Sequence, residues 1–270
     1  MKQAIGVIDS GVGGLTVASE LMRQLPKEQL IYLGDTLHCP YGSRPEEEIK
    51  RFTWNMVHFL MEKDIKLLVI ACNTATAYTL NDLQQKLDIP VIGVIQPGAR
   101  AAINATKNKR IGIIGTEATI RSSAYTKALH MINADISVIS ESCPLFVPMV
   151  EKGVLSGTEA FQTVNESLQS MKDCTDIDTL VLGCTHYPLI KDVIGEVMGE
   201  HVQLISSSEE TARETSAILE LQDLLNKDDT FLEHQFYTTG ELNIFQKLTN
   251  NIFSHHLDCL SKIRMDKVSI

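Results

Sequence analysis

Short, continuous apolar runs alternate along this chain with longer stretches in which apolar residues recur every three or four positions. The runs at 4–9, 30–34, 66–71, 91–94, 110–115, 136–140, 179–183 and 202–206 are rich in Val, Ile and Leu and bounded by Gly, Pro, Ser or Asp. Runs of that length and flanking predict strands buried on both faces of a parallel sheet. Between them, Ser43-Arg44-Pro45-Glu46 has the form of a capping box ahead of the stripe Ile49, Phe52, Val57 and Leu60. Ser207-Ser208-Glu209-Glu210 has the same form ahead of an amphipathic stretch over 212–225. Both predict helix starts. The alternation predicts an open α/β architecture, with ligands bound at the carboxyl ends of the strands.

The pattern also repeats once. Ile5-Gly6-Val7-Ile8-Asp9-Ser10 is echoed by Ile111-Gly112-Ile113-Ile114-Gly115-Thr116, and Cys39-Pro40 by Cys143-Pro144. Leu68-Val69-Ile70-Ala71-Cys72-Asn73-Thr74 is echoed by Leu180-Val181-Leu182-Gly183-Cys184-Thr185, and Val91-Ile92-Gly93-Val94 by Val202-Gln203-Leu204-Ile205. Any two α/β halves share some of this, but four landmarks in one order at nearly constant spacing, with a shared cysteine after the third strand, favour an internal duplication. The expectation is two similar open parallel-sheet α/β domains with the active site in the cleft between them. Residues 1–96 with 208–270 form the first and 97–207 the second. The segment from Glu209 onward is expected to be mostly helical and to pack back on the first half.

Composition narrows the partners. Of 270 residues, 44% are hydrophobic and 21% charged, with a formal net charge of −10. So acidic a surface argues against nucleic acid, whose phosphates are bound through Lys and Arg. The N-terminus runs straight into the first apolar stretch, and no apolar run has the length of a bilayer span, so neither a signal peptide nor a membrane is expected. The six cysteines, at 39, 72, 143, 174, 184 and 259, include no CxxC pair and no zinc-finger spacing. They read as reduced thiols of a cytoplasmic protein.

Two matched cysteines suit one chemistry in particular. Inverting an amino-acid α-carbon needs a base on one face and an acid on the other, with the roles exchanged in the reverse direction. Thiols, with an unperturbed pKa of about 8.5, serve in both roles near neutrality. Each of Cys72 and Cys184 is expected where a strand gives way to a helix, whose N-terminal amides favour a thiolate and receive a carboxylate. Asn73, Thr74, Thr185 and Ser10 add donors at equivalent strand ends, and these motifs contain no Arg or Lys. The plain alternative is that both cysteines are small buried residues, as most free cysteines are.

The stretches Asp9-Ser10-Gly11-Val12-Gly13-Gly14-Leu15, Pro40-Tyr41-Gly42, Ala71-Cys72-Asn73-Thr74-Ala75-Thr76-Ala77 and Gly183-Cys184-Thr185-His186-Tyr187-Pro188-Leu189 resemble the signatures of the aspartate/glutamate racemase family, glutamate racemases in particular. The resemblance runs in order from Ile5 to about Gly240. It implies a two-domain racemase fold and a two-thiol mechanism that needs no cofactor. It implies that Cys72 and Cys184 are the proton donors and acceptors, assisted by Asp9 at Cys72 and by His186 and Glu151 at Cys184. Asp9, Ser10, Tyr41, Gly42, Asn73, Thr74, Thr185 and His186 are implied to line a glutamate site. By the same analogy, Cys184 serves L-glutamate and Cys72 serves D-glutamate. A homodimer and a role in supplying D-glutamate for peptidoglycan also follow from the resemblance alone.

Asp9 read by itself is equally a turn or cap residue, and Glu151 a solvated helix residue. Cys39 and Cys143 precede prolines in equivalent loops and have no catalytic partner within their motifs. Asp35 is expected to position the Tyr41 loop, and Trp54 to pack. His58, His255 and His256 have no companions at metal-ligand spacing, so no metal site is expected. Phe236-Tyr237-Thr238-Thr239-Gly240 resembles the family's C-terminal strand and turn, followed here by Glu241 where Asp is common. Rival readings are a racemase acting on aspartate or a hydantoin, a two-lobed amino-acid-binding protein, and a thiol redox protein. The absent signal peptide weighs against a binding protein, the absent CxxC against a redox protein, and His186-Tyr187 after the second Cys-Thr against aspartate.

Overall fold

The computed structural model describes residues 3–174, 176–228, 233–253 and 263–270. Its strands are β1 (Ala4–Asp9), β2 (Leu30–Gly34), β3 (Ile65–Ile70), β4 (Val91–Gly93), β5 (Arg110–Gly115), β6 (Ser137–Ser142), β7 (Thr179–Gly183), β8 (Gln203–Ile205), β9 (His234–Thr238) and β10 (Ile263–Lys267). They form a six-stranded sheet ordered β10-β9-β2-β1-β3-β4 and a four-stranded sheet ordered β6-β5-β7-β8. Every pairing is parallel. The shared order β2-β1-β3-β4 and β6-β5-β7-β8 is the duplication read from the sequence, now visible as topology. No helix among the described residues is long and apolar enough to cross a membrane.

Each sheet is covered on both faces, which explains the unbroken apolar runs. Along β1, Ile5 and Val7 point into a core shared with Leu67, Val69 and Leu21, whereas Ala4 and Ile8 point into another with Leu68, Ile70 and Val57. The second sheet repeats the arrangement. Ile114, Leu180 and Leu182 face Phe146, Val164 and Ile194, and Ile111, Ile113 and Val181 face Ala99, Tyr125 and Leu129. Period-two side-chain alternation makes this division automatic.

Both expected helices are present and begin at or near the expected positions, but their caps differ from the expectation. The helix Glu46–Met61 begins at Pro45 with no side-chain cap; instead Glu46, Glu47 and Glu48 occupy its first turn, where carboxylates favour the N-terminal end of the helix dipole. The helix Ser208–Leu221 also lacks a side-chain cap from Ser207, and its first amide is satisfied by Ser206 Oγ at 3.4 Å. It ends at Leu221, short of 225.

The C-terminal segment also departs from a mostly helical reading. The helices Ser208–Leu221 and Leu242–Ile252 are present, but β9 and β10 extend the first sheet beyond β2. β10 carries Arg264, Asp266 and Lys267, charges of the kind that protect an edge strand from further pairing, and these hid it from a reading based on apolar runs. Cys259, His255 and His256 lie outside the described residues. Phe236 of β9 is fully buried, with its ring centroid 5.3 Å from that of Tyr32. Phe236→Ala is expected to lower the unfolding free energy by about 3–5 kcal/mol in a denaturant titration. A loss below about 1 kcal/mol would mean that β9 is peripheral to the first core.

Candidate active site

In each sheet the chain leaves the first strand toward one edge and the third strand toward the other. That divergence opens a crevice at the carboxyl ends of β1 and β3, and again at those of β5 and β7. Asp9-Ser10 and Cys72-Asn73 flank the first crevice; Gly115-Thr116 and Cys184-Thr185 flank the second. The crevices face each other. Ser10, Tyr41, Gly42, Cys72, Asn73 and Thr74 line one wall of a shared cleft, and Thr116, Val147, Cys184, Thr185 and His186 line the other, with Pro40 at the margin. No Lys or Arg is among these residues. The free space is about 10 Å³, roughly what one water needs, so an amino acid enters only when the walls part.

The walls are joined by hydrogen bonds. Thr185 Oγ1 donates to Asp9 Oδ1 at 3.1 Å, and the Gly11 amide to Asp9 Oδ2 at 2.9 Å. Thr74 Oγ1 lies 2.8 Å from Thr116 Oγ1, and the Ala118 amide donates to Gly42 O at 2.9 Å. Glycine permits two close approaches here. A Cβ on Gly13 would lie 2.5 Å from His186 Nδ1, and one on Gly42 would collide with the Thr116 side chain.

Cys72 is the N-cap of the helix Asn73–Lys86. Its Sγ accepts from the Ala75 amide at 3.4 Å and donates to Ser10 Oγ at 3.5 Å. Burial and the nearby Asp9 carboxylate push its thiol up to about 12, against the lowering contacts from Ser10 and Ala75. Asp9 is itself raised: burial outweighs His186, the Gly11 and Gly14 amides and Thr185. Asp9, expected to line the cleft, lies fully buried and does not appear among the cleft-lining residues.

The surroundings of Cys184 are different. It is followed by a turn and the 3-10 helix Tyr187–Ile190, so it has no α-helical N-terminus of the kind expected. What it has is His186, whose Nδ1 lies 3.8 Å from Sγ. Behind the ring, Nε2 is 2.6 Å from Glu151 Oε1, and Glu151 stands at the end of the helix Phe146–Glu151. Burial alone would lower the His186 pKa, but hydrogen bonds to Cys184 and Glu151 and their charges hold it well above the usual histidine range. Burial pushes Glu151 up, and the contacts with His186, Cys39 and the Val12 amide more than reverse it. Glu151 is thus a partner of His186 rather than a solvated helix residue.

Asp35 anchors the Tyr41 loop, as its position suggested. It is fully buried and accepts from Tyr41 Oη at 2.6 Å and from Thr239 Oγ1 at 2.7 Å. Trp54 lies half-buried and donates to Asp82 Oδ2 at 2.9 Å, away from the cleft. Asn73 Oδ1 accepts from Tyr125 Oη at 2.7 Å, and its Nδ2, also buried, has no partner among the described residues. Sequence reasoning missed Thr116, Val147 and Tyr125. Thr116 stands in the duplication register of Ser10, a signal that was present; Tyr125 and Val147 belong to no motif. Cys39, without a partner in its own motif, lies 3.7 Å from Glu151 Oε1.

Residues 5–215 match the family described as Asp/Glu/Hydantoin racemase. The chain belongs to that family. This racemase, an isomerase of a cofactor-independent family, is 63% identical over 253 residues to a glutamate racemase of Oceanobacillus iheyensis, covering 94% of this chain and 92% of that one. A crystal structure of a glutamate racemase from Bacillus anthracis superposes with a TM-score of 0.94 at 47% identity, covering 100% and 99% of the two chains. A Francisella tularensis glutamate racemase crystallised with D-glutamate gives 0.89 at 36% identity, covering 99% and 98%.

The raised His186 pKa makes a prediction with a definite sign. A raised folded-state value contributes stability in full below the unfolded pKa, about 6.5, and that contribution is lost as pH rises through the folded value. Glu151→Gln removes the carboxylate, so the His186 ring resonance followed by NMR should titrate at lower pH than in the unmodified protein. An unchanged titration would contradict the role given to Glu151.

Proposed function

We propose that this racemase interconverts L- and D-glutamate without a cofactor, using Cys72 and Cys184 as the two acid/base groups. The observation that carries the reading is the convergence of one thiol from each lobe, at topologically equivalent strand ends, on a single cleft without Lys or Arg. The lobes are taken as 1–96 with 208–270, and 97–207.

The environments of the thiols suggest a resting state. Cys72, pushed up to about 12 by burial and Asp9, is the protonated thiol. His186, held as imidazolium by Glu151, places a positive charge beside the Cys184 sulfur. In this reading the Cys184 sulfur takes the α-proton of L-glutamate and Cys72 gives its proton to the opposite face; D-glutamate reverses the roles. The substrate α-carboxylate is received by amides and hydroxyls of Ser10, Asn73, Thr74 and Thr185, with the unpartnered Asn73 Nδ2 as a ready donor. Tyr41 and Gly42 close the site from the loop that Asp35 holds. The glutamate specificity rests on the relatives' activity together with His186-Tyr187 after Cys184-Thr185. A homodimer in the cytoplasm, supplying D-glutamate for peptidoglycan, completes the proposal.

The test is α-proton exchange in D₂O followed by NMR, on L-glutamate and separately on L-aspartate, with no cofactor added. D-glutamate should form from the first and little product from the second. Cys72→Ala and Cys184→Ala should each lower the rate by at least about 10²–10⁴-fold, the scale of a lost general acid or base. Absence of turnover on both amino acids would sink the assignment and favour a binding protein. In Cys72→Ser and Cys184→Ser, proton elimination from a suitable substrate analogue should show opposite enantiomer preferences, and a reversed pattern would overturn the assignment of each thiol to its enantiomer.

A further inference from the structure

Three side chains far apart in the sequence meet behind the cleft. Cys39 comes from the loop after β2, Glu151 from the end of the helix Phe146–Glu151, and His186 from the turn after β7. Cys39 Sγ lies 3.7 Å from Glu151 Oε1, and His186 Nε2 lies 2.6 Å from the same oxygen. The sulfur, a carboxylate oxygen and a ring nitrogen are all within 4.8 Å of one another. Thiolate, carboxylate and imidazole are the donors of zinc sites, with bonds of about 2.0–2.3 Å. Tetrahedral bonds of that length set donor atoms about 3.4–3.6 Å apart. The Cys39–Glu151 spacing is already close to this. The Glu151–His186 contact needs to open by about 0.8 Å to reach the same spacing, a small rotation for a carboxylate whose side chain is 28% exposed.

Of the three donors, His186 lines the substrate cleft, and Glu151 lines a second cavity of about 290 Å³, with Val12, Thr36, Leu37, Gly240 and Glu241 on its walls. Glu151 is the donor that a cation in that cavity meets, with Cys39 and His186 next to it. The sequence holds no recognisable ligand spacing because the three donors come from both lobes.

We propose that Cys39, Glu151 and His186 form an inhibitory site for a thiophilic divalent cation of the zinc class, entered from the Glu151 cavity. On binding, the Cys39 thiol and the imidazole nitrogen release their protons to solvent, and two bonds to the metal replace them. Ligation occupies His186 Nε2 and takes Glu151 away from the ring, so the ring loses the support that aims Nδ1 at Cys184. A thiolate with imidazole selects zinc-like ions over magnesium or calcium. Metal binding stands independently of the proposed activity; its inhibitory effect rests on that reading.

Cobalt(II) added to the chelator-stripped full chain, without substrate, is the probe. A tetrahedral cobalt–thiolate absorption should appear, persist in the Cys72→Ser/Cys184→Ser double variant, and vanish in both Cys39→Ser and Cys39→Ala. In the racemisation assay, Cys39→Ser should keep its basal activity and require at least about tenfold more zinc(II) for half-inhibition. Absorption that persists without Cys39, or that disappears with the cleft thiols, would place the ion on Cys72 and Cys184 and overturn the site. Absorption that follows Cys39 with no inhibition by zinc(II) would overturn its inhibitory role. Because the absorption is read without substrate, failure of the site is distinguishable from failure of the glutamate assignment.

Discussion

Asp9 is a fully buried carboxylate, and its two oxygens are shared between the lobes. One accepts from Gly11 at the end of its own strand, the other from Thr185 of the opposite lobe. A buried carboxylate is tolerated only where its oxygens find such donors, so Asp9 ties the mouth of one sheet to the mouth of the other. The glycine loop from Gly11 to Gly14 folds around it, which brings His186 against Gly13, where a Cβ has no room. Cys72 stands on the adjacent strand end, where Asp9 opposes a negative charge on its sulfur. The same carboxylate therefore ties the lobes together and, after burial, helps raise the Cys72 thiol.

The duplication yields a pair of thiols without making them equivalent. Cys72 caps a helix and touches a serine; Cys184 is followed by a 3-10 turn and touches an imidazole backed by Glu151. A proton exchanger that works in both directions needs two groups of one chemical kind, but at rest it needs one of them protonated and the other ready to accept. The unequal neighbours around equal strand ends support the division of roles proposed for the two thiols. Asn73 shows the same economy, with Tyr125 of the second lobe fixing its oxygen while its buried nitrogen has no partner among the described residues.

Strands sandwiched between helices were legible because burial on both faces leaves no polar interruption: β1, β2, β5 and β7 coincide end to end with the apolar runs. Edge strands were harder. β6 starts and ends later than expected because Ser140, Glu141 and Ser142 sit at a half-exposed edge, and β10 is masked by its charges. The helices begin at or near the starts the serine patterns marked, but without the side-chain caps those patterns suggested. In the cleft, Cys72 and Cys184 were legible because the repeat marks them twice. The pairing of His186 with Glu151 was legible only through the family resemblance, and the approach of Cys39 to Glu151 arises only in three dimensions, since no spacing along the chain encodes a contact between lobes.

Two groups, one per lobe, are proposed to act on opposite faces of one carbon. Isotope content at early conversion in D₂O tests this most directly. With separate thiols, each carrying a solvent-exchanged hydrogen, newly formed D-glutamate should hold deuterium at the α-carbon while the remaining L-glutamate keeps its protium. A single base that returns the abstracted hydrogen would put protium into the product, and deuterium appearing equally in both enantiomers from the start would show a common exchanging intermediate; either result would contradict the account.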